Sequence, residues 1–220
     1  MTPDLPQTEM VILEMTNAFR RENGVALVKR DQKLTAAARK YAHYLAQSGR
    51  FAHDADGRRP HERAGAQGYS FCFVAENLAM DARAKGFTER ELAQEALAGW
   101  KKSPAHRANL LRAGATDIGI GVARAPEHPG KYISVQIFGR PETAGINFRI
   151  ENKSGAAITY TIGPKTHQVE PNVSVTHRSC TPAVLVFPAA QVRYEPGYGE
   201  HYIIKSAGPD RIAVERHQRR

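Results

Sequence analysis

Four short segments of the chain combine ionisable side chains with a restricted backbone, and they centre on His53, Glu76, Glu95 and His106. Two imidazoles and two carboxylates are able to coordinate a divalent cation such as Zn²⁺, or to share protons in a cleft. Each group also has a structural interpretation, as a loop-stabilising donor, a helix cap or a hydrogen-bond acceptor in an irregular turn. Spacing alone favours the structural roles, so any chemistry depends on whether the fold brings these side chains together.

The sequence lacks the motifs that usually accompany hydrolytic or redox chemistry. It contains no His-Glu-x-x-His, no Gly-x-Ser-x-Gly and no Cys-x-x-Cys. Ser103 lies near His106, but Pro104 intervenes and no third group that would orient the histidine can be named. The residues therefore do not predict a nucleophile activated by a base.

Periodic apolar patterns predict three helices in the first half of the chain. The clearest covers residues 33–47, which follow the N-cap residue Asp31, stop at Gly49 and carry apolar side chains at intervals of three and four. Two further helices are predicted over residues 8–22 and 88–102. Residues 50–75 show no sustained periodicity and are predicted to form an ordered loop with short helical turns.

Alternating apolar residues predict strands in the second half. The segments TDIGIGVAR and KYISVQIFG, joined by the turn PEHPG, predict a β-hairpin. Helical periodicity then ends, and short apolar segments recur between turn signals: INFRIE, AITYTI, THQVE, AVLVF and HYIIKS. We therefore expect two domains, residues 9–142 and a small β-rich domain over residues 143–220, with a connection short enough to hold them in a fixed arrangement.

The charge and the hydropathy of the sequence limit the classes of partner that the protein is expected to bind. Lys and Arg outnumber Asp and Glu by 31 to 22, a formal net charge of +9 that favours anionic surfaces. The charge is scattered, and no basic stripe interleaved with aromatic residues is present, so nucleic-acid binding is not predicted. No run approaches the roughly 20 apolar residues that a transmembrane helix requires.

Two features bear on the compartment. The segment MTPDLPQTEM lacks the basic and apolar regions of a signal peptide, which is compatible with a cytosolic protein or with a mature chain whose leader was removed. Cys72 and Cys180 lie outside any metal-binding spacing and are compatible with two buried thiols or with one long-range disulfide.

Four tyrosines in the β-rich tail offer large contact areas with a polar tip, namely Tyr160, Tyr194, Tyr198 and Tyr202. Such a set would suit a carbohydrate- or protein-binding face. At strand spacing, tyrosines more often pack in the core or against a neighbouring strand, and we favour that interpretation.

Seven ordered blocks of the sequence carry a resemblance to a known family. They are NAFRRENG, the helix from Leu34 to Leu45, FAHDADGRRPHER, GYSFCFVAENLA, WKKSPAHRANLL, DIGIGVA and YISVQIFG. In this order they resemble the bacterial branch of the CAP superfamily, which includes cysteine-rich secretory proteins, antigen 5 and plant pathogenesis-related proteins. The resemblance covers roughly residues 9–140.

This resemblance implies an α+β fold, in which a three-layer α/β/α sandwich precedes the small all-β, sandwich-like domain. It also implies a cleft in which family members place two histidines and two glutamates that bind a divalent metal. His53, Glu76 and His106 match three of them. Ser103 stands where the eukaryotic pattern has the remaining glutamate, and Glu95 is the spatial substitute that we consider. If a metal such as Zn²⁺ is bound, we expect His53 and His106 to hold it.

Family members are linked to lipid or sterol binding, to peptide signalling and to proteolysis, so the fold does not assign one activity. We expect a secreted or periplasmic binding module whose His/Glu cleft takes a metal, a small molecule or a lipid, and whose β-rich domain docks to an envelope or host component. The alternative is a metal-assisted hydrolase of peptide or cell-wall amide bonds, with Glu76 or Glu95 as general base.

Overall fold

The computed structural model describes residues 1–209 and 211–218 and divides the chain into two compact units, Met1–Pro141 and Glu142–Arg220. The helices of the first unit are α1 (Leu5–Glu22), α2 (Gln32–Ser48), α3 (Pro60–Ala66), α4 (Glu89–Lys102) and α5 (Pro104–Leu110). Its strands are β1 (Lys29–Arg30), β2 (Phe71–Ala82), β3 (Asp117–Arg124) and β4 (Lys131–Pro141).

The sheet of the first unit separates two hydrophobic cores. Its strands lie in the order β1-β3-β4-β2, and the pairs are antiparallel except for β1 with β3. On one face Ile118 and Ile120 pack with α1 and α4 around the buried Trp100. On the other face Ile133 and Val135 pack against α2. Helices on both faces of one sheet confirm the three-layer α/β/α sandwich.

Helix α2 lies directly against strand β3 because two positions of the strand have no side chain. A Cβ at Gly119 would lie 2.1 Å from the carbonyl carbon of Leu34, and a Cβ at Gly121 would lie 2.3 Å from the backbone nitrogen of Arg39. No side-chain atom fits at such distances, since interiors are close-packed. The small residues between Ile118, Ile120 and Val122 therefore set how closely the helix approaches the sheet.

Capping groups define the ends of the predicted helices. The carboxylate of Asp31 accepts a hydrogen bond from the backbone N–H of Leu34 at 2.8 Å, and Gly49 ends α2 in the left-handed region with φ of 68°. Thr88 and Glu91 satisfy each other's backbone N–H groups at the start of α4. The structure confirms the helices predicted at these two places.

The prediction of a loop over residues 50–75 is partly wrong. The short helix α3 over residues 60–66 agrees with the predicted helical turns, but Phe71 begins β2, an edge strand that pairs with β4, where a loop was predicted. Glu76 and Asn77 are adjacent, polar and both buried, so the segment shows no apolar alternation from which a strand could be predicted.

The second unit is all-β apart from short 3₁₀ turns. Its strands are β5 (Ile146–Lys153), β6 (Ile158–Ile162), β7 (Lys165–Val169), β8 (Ser174–Ser179), β9 (Leu185–Phe187), β10 (Val192–Tyr194), β11 (Tyr198–Ser206) and β12 (Ile212–Gln218). They form two four-stranded sheets, ordered β10-β9-β6-β7 and β12-β11-β5-β8, with β11 and β5 parallel. Phe148 and Ile150 from one sheet share a core with Leu185 and Phe187 from the other. This arrangement confirms the sandwich-like all-β region, although three of its strands, β8, β10 and β12, have no counterpart among the predicted segments.

The four tyrosines of this unit do not form a common exposed face. Tyr160 and Tyr202 are buried in its core and Tyr194 packs against it, whereas Tyr198 is 51% exposed. The core interpretation holds for three of them, because side chains on alternate strand positions point toward the facing sheet.

Two further expectations concern the whole chain. Neither Cys72 nor Cys180 is a free thiol among the residues that the structure describes, so the interpretation as two thiols is wrong. In the same residues no helix is long and apolar enough to cross a membrane.

Candidate functional site

His53 lies in the loop that follows α2, and two tyrosines of that helix hold the loop in place. The hydroxyl of Tyr41 donates to the carbonyl of Ala52 and accepts from the backbone N–H of Ala55 at 3.1 Å. The hydroxyl of Tyr44 donates to the carbonyl of Ala55 at 2.8 Å. Because both neighbours of the 53–54 segment are anchored, His53 has a defined position although half of its side chain is exposed.

Glu76 comes from the middle of β2, and its side chain is almost fully buried, with 1% of its surface exposed. Its Oε1 lies 2.8 Å from Nδ1 of His53. The guanidinium of Arg63 donates to both carboxylate oxygens, at 3.0 and 2.9 Å. A buried carboxylate needs such partners because its desolvation otherwise costs several kcal/mol.

Arg63 connects the parts of this site. It is the fourth residue of α3, its side chain is 6% exposed, and it also donates to Oδ1 of Asp56 and to the carbonyl of His53, both at 2.8 Å. Its guanidinium carbon lies 3.4 Å from the centroid of the Tyr41 ring. Arg63 thus neutralises Glu76 and at the same time fixes the backbone that carries the histidine.

His106 belongs to α5, which two asparagines tie to strand β2. The side-chain amide of Asn77 donates to the carbonyl of His106 at 3.2 Å, and that of Asn109 donates to the carbonyl of Glu76, also at 3.2 Å. Asn109 donates in addition to Oδ1 of Asn77 at 3.0 Å. Burial lowers the pKa of His106 below its ordinary value, and the nearby His53 lowers it further.

The two imidazole rings lie close enough for one small ligand to contact both. Their centroids are 6.4 Å apart and the ring planes are inclined by 60°. When Nδ1–H of a neutral His53 donates to Glu76, its Nε2 is left as an acceptor. The site therefore offers two imidazoles to a ligand, one of them oriented by a buried carboxylate.

The structure does not bring Glu95 and Ser103 into this network. Glu95 is exposed on α4 and its Oε1 binds Nη2 of Arg83 at 2.8 Å, beyond the end of β2. Ser103 joins α4 to α5, and its hydroxyl makes no capping hydrogen bond there. In the described part of the chain neither residue forms a hydrogen bond or ion pair with His53, Glu76 or His106.

The donor set bears on the metal that the resemblance implies. Among the described residues no group of three or more His, Cys, Asp and Glu side chains is placed to hold an ion. Glu76 is already bound by Arg63, so it orients His53 in the way that an outer carboxylate orients a metal-binding histidine. These residues fit a cation held by the two imidazoles with ligand or water completing its shell, and they do not fit a site made of four side chains.

Several residues that build this site were absent from the prediction. Asn77 and Asn109 each stand within three positions of a predicted site residue, and an amide side chain so close to such a residue is a usable signal. Arg63 carried no signal of its own, because α3 is only seven residues long and shows no periodicity from which burial of an arginine could be inferred.

Solved structures show the same fold over the N-terminal unit. An outer surface protein from Borrelia burgdorferi matches 61% of this chain and 92% of its own, at a TM-score of 0.53 and 20% identity. An extracellular protein containing an SCP domain from Bacillus anthracis matches 62% of this chain at a TM-score of 0.52 and 26% identity. The match spans 41% of that protein's own length.

A search of curated proteins finds no match. Comparison with family models agrees with the structural neighbours. The CAP family model, described as the cysteine-rich secretory protein family, matches residues 13–138. This range is more than half of the chain and includes the blocks that carry His53, Glu76 and His106. The chain therefore belongs to the cysteine-rich secretory protein family.

Proposed function

We propose that this protein is an extracytoplasmic binding module whose site at His53 and His106 takes a small ligand or a divalent metal ion. The observation that carries the proposal is the pair of adjacent imidazoles, one of which binds the buried carboxylate of Glu76 at 2.8 Å. Holding a carboxylate with 1% exposure is costly, and a half-exposed histidine does not need such a partner for stability. The arrangement instead sets the tautomer and orientation of His53 toward solvent.

The chemistry of the site suits binding. When bound, a divalent cation would supply positive charge for an oxygen ligand, and His53 and His106 would hold it. Without a cation, the two imidazoles present hydrogen-bonding ring nitrogens to a polar group. Arg63 holds the Glu76 side chain in place in either case.

An extracytoplasmic location has two supports. Neither cysteine among the described residues is a free thiol, and disulfides persist mainly in oxidising compartments. The structural neighbours are named as an outer surface protein and an extracellular protein.

Native mass spectrometry of the purified full chain tests the binding proposal. We expect a retained adduct, or binding of added Zn²⁺, that is lost in His53→Ala and in His106→Ala. His43 is exposed on α2, and His43→Ala is the matched control. Zn²⁺ binding that none of the three variants changes, with no retained ligand, would contradict the proposal.

The same preparations distinguish binding from hydrolysis. A cation held by two imidazoles, one of them oriented by Glu76, would keep coordination positions open for a water, which is the observation that favours a metal-assisted hydrolase. Turnover of peptide or peptidoglycan amide bonds by the Zn²⁺-loaded protein, lost in His106→Ala, would establish the metal-assisted hydrolase instead.

A further inference from the structure

The outward face of one sheet in the C-terminal unit presents cationic and hydrogen-bonding side chains in a single row. His217, His201, Arg149 and Thr176 occupy directly paired positions on β12, β11, β5 and β8. Neighbouring strands are about 4.8 Å apart, so the row is roughly 14 Å long. All four strands are held by the core on the other face, which gives these side chains a fixed spacing.

A second pair of residues lies beside this row and extends it into a groove. Asn147 and Arg178 are paired two residues away from Arg149 and Thr176, at the next position of β5 and β8 on the same face. Opposite them, β11 is interrupted at Gly199, which has φ of 79° and lies where the register shifts between Tyr198 and Glu200. The groove that results has a volume of about 500 Å³, and its lining belongs entirely to this unit.

The carboxylates near this groove already have cationic partners. Glu151 lies 3.2 Å from Lys153 and also 3.1 Å from Nε2 of His201. Glu215 lies 2.7 Å from Lys205 and 3.5 Å from Nε2 of His217. Glu200 borders the groove, but its carboxylate accepts from Arg216 and from the hydroxyl of Tyr202.

The two arginines of the groove are not matched in this way. Arg149 donates to the hydroxyl of Ser174 at 2.8 Å. The pKa of Glu151 is lowered mainly by its hydrogen bond with Lys153, and the charge of Arg149 adds to this. Within the described residues no carboxylate lies at ion-pair distance from Arg149 or Arg178. The groove therefore carries excess positive charge.

We propose that this groove binds a small ligand through a phosphate or sulfate ester group. A guanidinium offers a planar set of N–H donors that matches the oxygens of such groups, and two of them border the groove. Thr176 lies opposite Arg149 and Asn147 lies opposite Arg178, so each arginine has a neutral polar group beside it on the neighbouring strand. A volume of about 500 Å³ is within the usual range for sites that enclose a small molecule. The proposal does not depend on the site at His53 and His106, which belongs to the other unit.

NMR titration of the full chain with three sugars tests the proposal. Glucose 6-phosphate and glucose 6-sulfate carry the two candidate groups, and glucose is the neutral control. We expect at least one ester to shift the amide signals of Arg149, Thr176 and Arg178, and glucose to shift none. The ester that binds more tightly identifies the group that the groove prefers.

Two double variants of equal net charge show whether ester binding depends on the arginines of the groove or only on the overall positive charge of the protein. Arg149→Ser with Arg178→Ser should weaken ester binding at least about tenfold, since one charge-assisted hydrogen bond is worth roughly 1.5 kcal/mol. Arg193→Ser with Arg211→Ser removes the same charge from exposed positions outside the groove and should change it less than about twofold. All four residues are exposed, so both proteins should fold, as their spectra will report. The proposal is overturned if neither ester binds, if glucose binds equally well, or if the two double variants weaken binding alike.

Discussion

At the scale of single residues, the site depends on the buried guanidinium group of one arginine. Arg63 donates to both oxygens of Glu76 and to the backbone of His53, and it lies over the ring of Tyr41. The carboxylate of Glu76, the loop of His53 and helix α2 are thus all in contact with the side chain of Arg63. Each of these contacts is buried or half-buried, so solvent screens them little.

Replacing Arg63 should therefore destabilise the fold strongly. In Arg63→Met the buried carboxylate of Glu76 loses its main partner, and we expect a loss of about 3–5 kcal/mol in the free energy of unfolding. Urea denaturation at neutral pH measures this, with the exposed Arg58→Met as control. The double variant Arg63→Met with Glu76→Gln should recover part of the loss. Equal denaturation midpoints for Arg63→Met and the wild type would refute this account of Arg63.

The second residue-scale prediction concerns the pKa of His106. Burial lowers it first and the nearby His53 lowers it further, so His53→Asn should raise the pKa of His106 while leaving it below the ordinary value of about 6.5. NMR titration of the imidazole signals measures the change, with His43→Asn as control. An unchanged pKa in His53→Asn would show that the two rings do not interact.

The lowered pKa of His106 also determines how the stability of the fold changes with pH. Below about pH 6.5 the unfolded chain binds the proton more readily than the folded chain, so His106 costs stability as the pH falls from there through its folded pKa. His177 in the C-terminal unit, whose pKa is lowered by burial and by His167, should act in the same direction.

At the scale of elements, contact between α2 and β3 positions the loop of His53. The backbones approach so closely at Gly119 and Gly121 that α2, and with it Tyr41 and Tyr44, is placed directly on the sheet. The two hydroxyls then hold the loop. Strand β2 carries Glu76 on the same sheet, so the site is assembled from elements fixed to a common support.

A pair of glycine substitutions tests this contact. Gly121→Ala would place a Cβ 2.3 Å from the backbone nitrogen of Arg39, and moving α2 away should cost about 1–3 kcal/mol. Gly99 lies in α4, where an added Cβ would meet no atom within 4 Å, and Gly99→Ala should instead stabilise the helix by up to about 1 kcal/mol. Thermal unfolding of both proteins gives the comparison. A Gly121→Ala protein as stable as the wild type would mean that the close approach is unimportant.

At the scale of the whole molecule, two units with separate cores share one chain. The N-terminal unit has a core on each face of its sheet, and the C-terminal unit has a third core between its two sheets. The domain ranges 9–142 and 143–220, and the fixed arrangement expected from the short connection, stay predictions. Limited proteolysis tests them, because rapid cutting between Gly139 and Gly145 that leaves two folded fragments, detected after reduction, would contradict a fixed arrangement.

The state of the cysteines is a second prediction for the whole molecule. Neither Cys72 nor Cys180 is a free thiol in the described residues. The protein purified without reductant should therefore resist alkylation even when it is denatured. After reduction, both cysteines should react. Intact mass measured before and after reductant checks this. Alkylation of the denatured protein without reductant would remove one support for an extracytoplasmic location.

The sequence by itself determined the regular elements whose signals are local. Helix α2 follows from its apolar period, from Asp31 and from Gly49, and the hairpin of β3 and β4 follows from alternation around one turn. The inferences about these elements succeed because caps, turns and periodicity depend on residues a few positions apart. The ordered blocks also identified the family, whereas the choice of His53, Glu76 and His106 as site residues stays a prediction.

The tertiary structure alone decided how the site is built. Strand β2 has no alternation and is defined by pairing with β4. Arg63 is buried against the ring of Tyr41 and against Glu76, which is 13 residues away in the chain. Glu95 was the candidate substitute for the fourth ligand, yet helix α4 places it beside Arg83, and Ser103 lies at the junction of α4 and α5. Burial and the neutralisation of buried charge arise from the packing of distant segments, and no short window of sequence records which segments will meet.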